Sequence, residues 1–466
     1  MINKKNILTL FILAVITIVV GVFSIRTLGI KDGGTFAISV GLSLLILILA
    51  KDNFKAAIYL FIISLPILVT ARKGLYLNLF IIRLNFESII IILLFLSKYK
   101  EIVFNLKRKA RDNSYIFKVV LFFVFAGLIS NIFAKDPLET FGLTVTSVIV
   151  PILLGAIILT IFNRRDVKAI TYSLGMAINL SCLYGVVQVL GIGFNLSAIQ
   201  SSRNLLTFGY HNGNIFVNIA LMVFPLLLNY LLHRRTTTLE KIFLVLSLGL
   251  QSLSIFLTFS RGAWLALAIS CFLILFSKKY KYLFIGVVIV GLVASPFVLP
   301  KILGRGNSST HFLQNTSNTA RVLSIVTSKD IMLDNVFGVG YGNFNDYYRE
   351  QVADSYLNLP YNFRKHMIAP LYSMEHAHNF FLNIGVEMGI IALLSIILIF
   401  INRIKASIKN YSLNRGIFIS LVIFVFIGLT TGIELNHKGV LTNTYIMWIL
   451  FAMISVNNEK EDVKYV

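Results

Sequence analysis

Residues 374–400 read MEHAHNFFLNIGVEMGIIALLSIILIF, and this stretch decides the fold. It opens with Glu375, His376 and His378 and continues as an apolar run of membrane-spanning length. The bilayer core offers no water to unpaired backbone groups, so such a run must form a helix. Ionisable side chains at the mouth of that helix are where a membrane protein is expected to place its chemistry.

The rest of the chain repeats the apolar pattern. Of its 466 residues, 57% are hydrophobic and only 13% are charged. This composition predicts an all-α polytopic membrane protein with about 12–14 transmembrane helices and one large extracytoplasmic loop. The candidate helices lie near 7–24, 35–50, 56–71, 79–97, 114–134, 139–162, 169–193, 214–232, 240–259, 262–277, 281–299, 378–401, 416–432 and 439–456.

The formal net charge of +22 does not indicate nucleic-acid binding. The lysines and arginines lie in short clusters between apolar runs, which is the topology signal of a membrane protein. Alternating the helices places most clusters on one side, so both termini are predicted to be cytoplasmic. The predicted regions are N-terminal helices over 1–299, an extracytoplasmic loop domain over 300–377, C-terminal helices over 378–456 and a cytoplasmic tail over 457–466.

Most of the chemically interesting residues fall on the outer side under this topology. The cytoplasmic connections are short and basic, and they contain no glycine-rich phosphate loop. A substrate would therefore be met at the outer leaflet, and an activated donor would arrive attached to lipid. In the long outer segment, an amphipathic stretch runs from Arg321 to Val336. The alternate glycines Gly338, Gly340 and Gly342 then predict a close backbone approach or a sharp re-entry into the membrane.

The helix that begins near His378 carries a polar stripe. Asn379, Asn383 and Glu387 are four residues apart and share one face, while Gly385 and Gly389 permit close packing on the adjoining face. Each polar residue alone could simply hydrogen-bond a neighbouring helix. The cluster of Glu375, His376 and His378 beside them favours a functional role.

Arg261 lies between two apolar runs. Its guanidinium could snorkel to the headgroups or bind a phosphate through its planar donor fork. The flanking Ser260 and Gly262 favour phosphate binding because they let a bulky headgroup approach. Arg321 and Arg203 are candidates for the same role. The outer carboxylates are scattered, so we predict neither a metal site nor a cofactor.

Taken together, these motifs resemble the O-antigen ligase and polymerase superfamily over about residues 255–400. The resemblance rests on 259–264 (FSRGAW), Arg321, 337–344 (FGVGYGNF), His378-Asn379 and the Glu387-Met388-Gly389 that follows. His211-Asn212 is similar to an asparagine-rich spot that members carry before a mid-chain helix. The ligase pattern expects glycine where this chain has Ala392, which departs from the ligases rather than from the superfamily.

The resemblance implies a GT-C type glycosyltransferase that spans the bacterial cytoplasmic (inner) membrane. Its donor would be a glycan on undecaprenyl pyrophosphate, and its acceptor would be another lipid-linked repeat for a polymerase or lipid A–core for a ligase. Membrane lipids and polysaccharide-assembly proteins are the further partners expected. The site is then His378 as base with Arg261 and Arg321 on the pyrophosphate. The substrate-binding candidates are Arg203, His211, Asn212, His376, Asn379 and Glu387.

Three alternatives remain open from the sequence. Polymerase and ligase are not separated, although a composition rich in Ile, Lys and Asn hints at a single-membrane bacterium without lipid A. A flippase for lipid-linked oligosaccharide or another transporter would also be polytopic and basic, but it would usually show internal repeats. A structural partner in a polysaccharide-assembly complex is the third, and the histidine and arginine cluster argues against it.

Overall fold

The computed structural model describes residues 4–70, 77–79, 82–276, 278–282, 284–286, 289, 312–314, 316–367, 373–430, 435–436 and 440–459. It confirms the all-α polytopic class. In this part of the chain, eight helical segments are long and apolar enough to cross a membrane, and four shorter apolar helices accompany them.

The helices follow the predicted apolar runs closely. Before the long outer segment they are α1 (Lys4–Asp52), α2 (Phe54–Thr70), α3 (Phe86–Ser97), α4 (Tyr99–Asp112), α5 (Ser114–Ser130), α6 (Pro137–Thr144), α7 (Val150–Ile161), α8 (Asp166–Ile192), α9 (Leu196–Ser201), α10 (Gly213–His233), α11 (Thr238–Leu257) and α12 (Arg261–Leu275). After α12 they are α13 (Thr316–Asp334), α14 (Phe344–Leu357), α15 (Tyr361–Arg364), α16 (Phe380–Lys409), α17 (Tyr411–Thr430) and α18 (Thr442–Asn458).

Helix α1 folds back on itself. A straight helix would hold residues 17 and 41 about 36 Å apart. Instead, a Cβ added to Gly41 would lie 2.7 Å from the hydroxyl of Thr17, and the Ser24 hydroxyl donates to the carbonyl of Gly33 at 3.0 Å. The two halves therefore run antiparallel, as the separate predicted helices at 7–24 and 35–50 require.

The helix predicted over 79–97 is too long at its start. Residues Leu77–Leu79 and Ile82–Leu84 form a two-stranded antiparallel hairpin, β1 and β2, with Leu77 opposite Leu84. Helix α3 begins only at Phe86, because the Asn85 side chain caps it by accepting from the Ser88 N–H at 3.1 Å. Most of the helix predicted over 281–299 lies outside the described residues.

Contacts at the two ends of the bundle agree with the alternation of helices predicted from charge. At one end, which we call the basic end, Lys55 pairs with Asp166 at 2.5 Å, Lys168 pairs with Glu240 at 2.5 Å, and Lys109 pairs with Glu459. At the other end, which we call the site end, Lys135 pairs with Glu350 at 2.6 Å and the Thr70 hydroxyl donates to the Gly209 carbonyl at 3.3 Å. Every contact joins segments that the topology placed on the same side.

The long segment at the site end has an apolar core of its own. Helices α13 and α14 contribute Ala320, Ile331, Phe344, Tyr348 and Val352, and α16 contributes Val386. Ala377, just before α16, belongs to the same cluster and is fully buried. The described part of the segment is therefore a folded unit that packs on the start of α16.

Candidate functional site

Helix α16 is broken at Gly389, and a loop fills the break. Gly389 has φ 87° and ψ 171°, which interrupts the helical hydrogen bonds. Segment 336–340 replaces them: the Val339 N–H donates to the Val386 carbonyl at 2.9 Å, and the Ile390 N–H donates to the Val336 carbonyl at 2.9 Å. A break at membrane depth is tolerated because protein satisfies the freed backbone groups.

Two glycines make this insertion sterically possible. A Cβ on Gly338 would lie 2.6 Å from the Glu387 carbonyl oxygen, and one on Gly389 would lie 2.6 Å from the carbonyl carbon of Phe337. Both residues also have positive φ, which glycine adopts at little cost. The predicted close backbone approach is thus the observed arrangement. Gly389 packs against a loop, whereas Gly385 faces Met332 of helix α13.

Glu387 and Asn383 connect this loop to the start of α16. The Gly342 N–H donates to Glu387 Oε1 at 3.1 Å, and Asn383 Nδ2 donates to Glu387 Oε2 at 3.0 Å. Asn383 Oδ1 in turn accepts from the Ala377 N–H at 3.1 Å. Glu387 is only 5% exposed, so its carboxylate fixes the backbone next to His378 from inside the protein. This arrangement fits a positioning role better than the expected contact with substrate.

His378 itself has a strained backbone. Its φ of 49° lies in the left-handed region, which costs a non-glycine residue about 1–3 kcal/mol. The neighbouring residues hold it there: Asn383 binds Ala377, and Asn379 caps α16 by accepting from the N–H groups of Phe381 and Leu382 at 3.0 and 3.1 Å. The ring of His376 lies 4.4 Å from that of His378, centroid to centroid, in an edge-to-face arrangement.

Non-glycine residues with positive φ occur near several of the candidate site residues, not only at His378. In the described ranges such residues are Phe208, Phe259 and His378. Phe208 precedes His211 by three residues, and Phe259 precedes Arg261 by two. A Cβ on Gly213 would lie 2.9 Å from the Leu206 carbonyl and 3.8 Å from Thr258 Cγ2, so the His211–Asn212 turn packs beside the segment that leads to Arg261. Strain of this kind clusters at functional sites.

The positive charge of Arg261 acts on Arg321 in this region. Partial desolvation and the positive charge of Arg261 lower the pKa of Arg321 below its usual value. Arg321 remains a cation, so the like charges repel and an anion between them would be stabilised. Arg321 follows Ala320, which shares a buried cluster with Ala377, the residue before His378. The chain next to Arg321 and the chain next to His378 therefore pack in one apolar core, and the charge of Arg261 acts on Arg321.

The remaining candidates, His211, Asn212 and Arg203, differ in their surroundings. Asn212 caps α10 by accepting from the Ile215 N–H at 3.0 Å, while His211 beside it is exposed. Arg203 is exposed on a 3₁₀ turn, and no described contact joins it to the other candidates. The described residues contain no group of three or more His, Cys, Asp and Glu that could hold a metal ion.

The sequence predicts the polar stripe of α16, but it does not predict the hydrogen bonds from that stripe to Gly342 and Ala377. The bond from the Gly342 N–H to Glu387 depends on a break in α16 that the apolar pattern hides. Glycines at 338 and 389 were the available signal, but nothing in the sequence paired them.

A family model described as O-antigen ligase matches residues 243–397. The matched range contains Arg261, Arg321, the 336–340 insertion and the whole start of α16, and it excludes Arg203, His211 and Asn212. No curated protein matches the chain. The chain is a multi-pass membrane protein, and over residues 243–397 its resemblance to the O-antigen ligase and polymerase superfamily of membrane enzymes is confirmed.

Proposed function

We propose that this protein is a membrane glycosyltransferase that moves a glycan from undecaprenyl pyrophosphate to an acceptor hydroxyl outside the cytoplasmic membrane. The observation that carries the proposal is the packing of Ala320, the neighbour of Arg321, with Ala377, the neighbour of the strained His378. The positive charge of Arg261 also acts on the partly buried Arg321. A site with two close cations and one imidazole suits a substrate with an anionic leaving group and a hydroxyl nucleophile.

The chemistry needs a base and an anion clamp. The acceptor hydroxyl gives its proton to His378, and its oxygen bonds to the anomeric carbon. The bond from that carbon to the pyrophosphate oxygen breaks, and prenyl pyrophosphate leaves with the electron pair. Arg261 and Arg321 stabilise the charge that develops on the leaving group. His376 and the His211–Asn212 turn border the same region and are proposed substrate contacts, whereas Arg203 is at most peripheral.

Glu387, Asn383 and Asn379 act as positioning residues in this mechanism. Their hydrogen bonds hold the peptide on either side of His378, so the imidazole is fixed before substrate arrives. Such pre-organisation spares the reaction the cost of ordering the base.

The positive-inside rule supports an outward-facing location for the proposed site. The basic end would face the cytoplasm with both termini, and the site end would face outward in the inner membrane. Lipid-linked glycan donors fit that location because no nucleotide-binding loop occurs in the cytoplasmic connections.

The test is transfer by the purified protein from a defined undecaprenyl-pyrophosphate oligosaccharide. A ladder of longer lipid-linked products would identify a polymerase. Product only after addition of a lipid A-type acceptor would identify a ligase. No release of undecaprenyl pyrophosphate with either acceptor, from protein that is folded and monodisperse, would contradict the proposal.

A further inference from the structure

An open groove of about 490 Å³ lies at the basic end, between α1 and α3. Its volume falls in the range of small-molecule sites. The residues that line it combine an apolar wall with two cations: Leu47, Ala50, Leu93 and Leu94, with Lys51 and Lys98. Leu93 is 41% exposed and points to an environment that is not protein. In a membrane protein that environment is acyl chain, so the groove joins a hydrocarbon wall to a charged rim.

The helix that follows extends the positive charge. From Lys98 to Arg111 the chain carries six lysines and arginines and a single carboxylate, Glu101. On α4 the exposed residues Lys100, Phe104, Lys107, Arg108 and Arg111 recur at helical spacing and form one face. Phe104 in that face is 69% exposed. A cationic helix face that also presents an aromatic side chain is typical of a helix lying in the membrane interface.

We propose that this groove binds an anionic phospholipid, with its phosphate between Lys51 and Lys98 and an acyl chain along Leu47 and Leu93. The apolar wall argues against a free soluble anion, which gains nothing from it. The cations argue for an acidic lipid over a zwitterionic one, because basic pockets between helices recognise acidic headgroups.

The existing ion pairs leave the lysines available for this role. Glu101 lies 3.3 Å from Lys98, but both side chains are about half exposed, and such a pair contributes little. Lys51 forms no ion pair with any residue that the structure describes. By contrast, Lys55, one turn further along, is engaged with Asp166.

The proposal is independent of the proposed function, because its test measures lipid binding and not glycan transfer. The purified protein is titrated with phosphatidylglycerol or phosphatidylcholine, and bound lipid is counted by native mass spectrometry. The variants are K51Q/K98Q, which removes the charged rim, and Leu93→Trp, which fills the groove. The control K405Q/K409Q removes two exposed lysines from the same end of the bundle, outside the groove.

We expect wild type and the control to retain one phosphatidylglycerol that phosphatidylcholine does not replace. K51Q/K98Q should bind it about thirtyfold more weakly, from the usual contribution of a basic residue near an anionic headgroup. Leu93→Trp should lose it although both lysines remain. Equal retention of the two lipids by wild type, or equal losses in K51Q/K98Q and the control, would overturn the proposal. Retention by a Leu93→Trp protein would also overturn it.

Discussion

The two ends of the bundle treat charge in opposite ways. At the basic end, Lys55, Lys168 and Lys109 each meet a carboxylate from another helix. At the site end, partial burial and the positive charge of Arg261 together lower the pKa of Arg321. Paired charges need nothing further, whereas two neighbouring cations are stabilised when an anion joins them. The difference suggests that the ion pairs of the basic end serve the fold, whereas Arg261 and Arg321 at the site end serve a substrate.

The backbone shows the same contrast. The helices at the basic end close with ordinary caps, such as the Thr237–Glu240 capping box of α11. The site end contains Phe208, Phe259 and His378 with positive φ, and a helix broken at Gly389. Strain persists only where its surroundings enforce it. Substitutions at these strained positions should therefore affect activity, whereas substitutions in the ion pairs of the basic end should affect only stability.

The largest effect is expected at His378. His378→Ala should lower the rate of glycan transfer about 10²–10⁴-fold, because the acceptor hydroxyl loses its base. The measurement is release of undecaprenyl pyrophosphate by purified protein at matched concentration. His366→Ala, in the turn after α15, is the control and should keep its rate. A His378→Ala enzyme as fast as this control would remove His378 from the mechanism.

The second-largest loss of rate is expected for substitutions of Arg321. Arg321→Gln should cost about 10²–10³-fold in kcat, because one donor to the leaving group is lost. Arg321→Lys should restore only part of it, since an ammonium keeps the charge and loses the planar fork. Arg349→Gln is the matched control, because that arginine on α14 is exposed and its described hydrogen bond is to Ser373 at 3.3 Å. If Arg349→Gln and Arg321→Gln slow transfer equally, the loss reflects net charge, and Arg321 has no specific role at the leaving group.

The break in α16 can be tested through stability. Gly389→Ala should lower the free energy of unfolding by about 2–3 kcal/mol, because its φ of 87° and the Phe337 backbone oppose a Cβ. Thermal unfolding in detergent measures the change. Gly249→Ala, on helix α11 with open space around the added Cβ, should stay within about 1 kcal/mol of wild type. Equal stability of the two variants would mean that the inserted loop is dispensable.

A smaller effect is expected from Glu387. Glu387→Gln keeps the shape but replaces one acceptor by a donor that faces either the Gly342 N–H or Asn383 Nδ2. We expect a loss of about 1–2 kcal/mol in stability and a lower kcat with KM nearly unchanged. Glu387→Asp, which keeps the charge but shortens the reach, should not restore kcat. A rise in KM with kcat unchanged would instead support direct contact with substrate.

The sequence predicted the helices well because their length and apolarity are set by the bilayer and not by the partners they pack against. It failed where local groups decided the outcome. Asn85 starts α3 seven residues later than the apolar run, and the exposed helix α4 was interpreted as a basic loop. The prediction for residues 99–112 used only their positive charge. The helical spacing of the basic residues would have indicated a helix.

Some residues of the candidate site could be predicted from the sequence, and others could not. Residue types suited to the chemistry predicted His378, Arg261 and Arg321 as site residues, and their roles stay predictions. The role of Glu387 could not be deduced, because it depends on a backbone N–H from Gly342, forty-five positions away. Residues that act through their side-chain chemistry are thus visible in a sequence, while those that act through backbone geometry become visible only with the fold.

The smallest effect is expected at the basic end, where Lys168 pairs with Glu240. Lys168 and Glu240 retain 41% and 25% of their side-chain exposure, so solvent screens the pair. Lys168→Gln should cost less than about 1 kcal/mol in unfolding free energy and leave glycan transfer unchanged. The difference from wild type should shrink further in high salt, because an exposed pair is screened within a few ångströms. A double-mutant cycle with Glu240→Gln isolates the pair, since glutamine can still cap Thr237. A loss of transfer in Lys168→Gln would contradict the division between the two ends, because it would show charge at the basic end acting on the chemistry at the other.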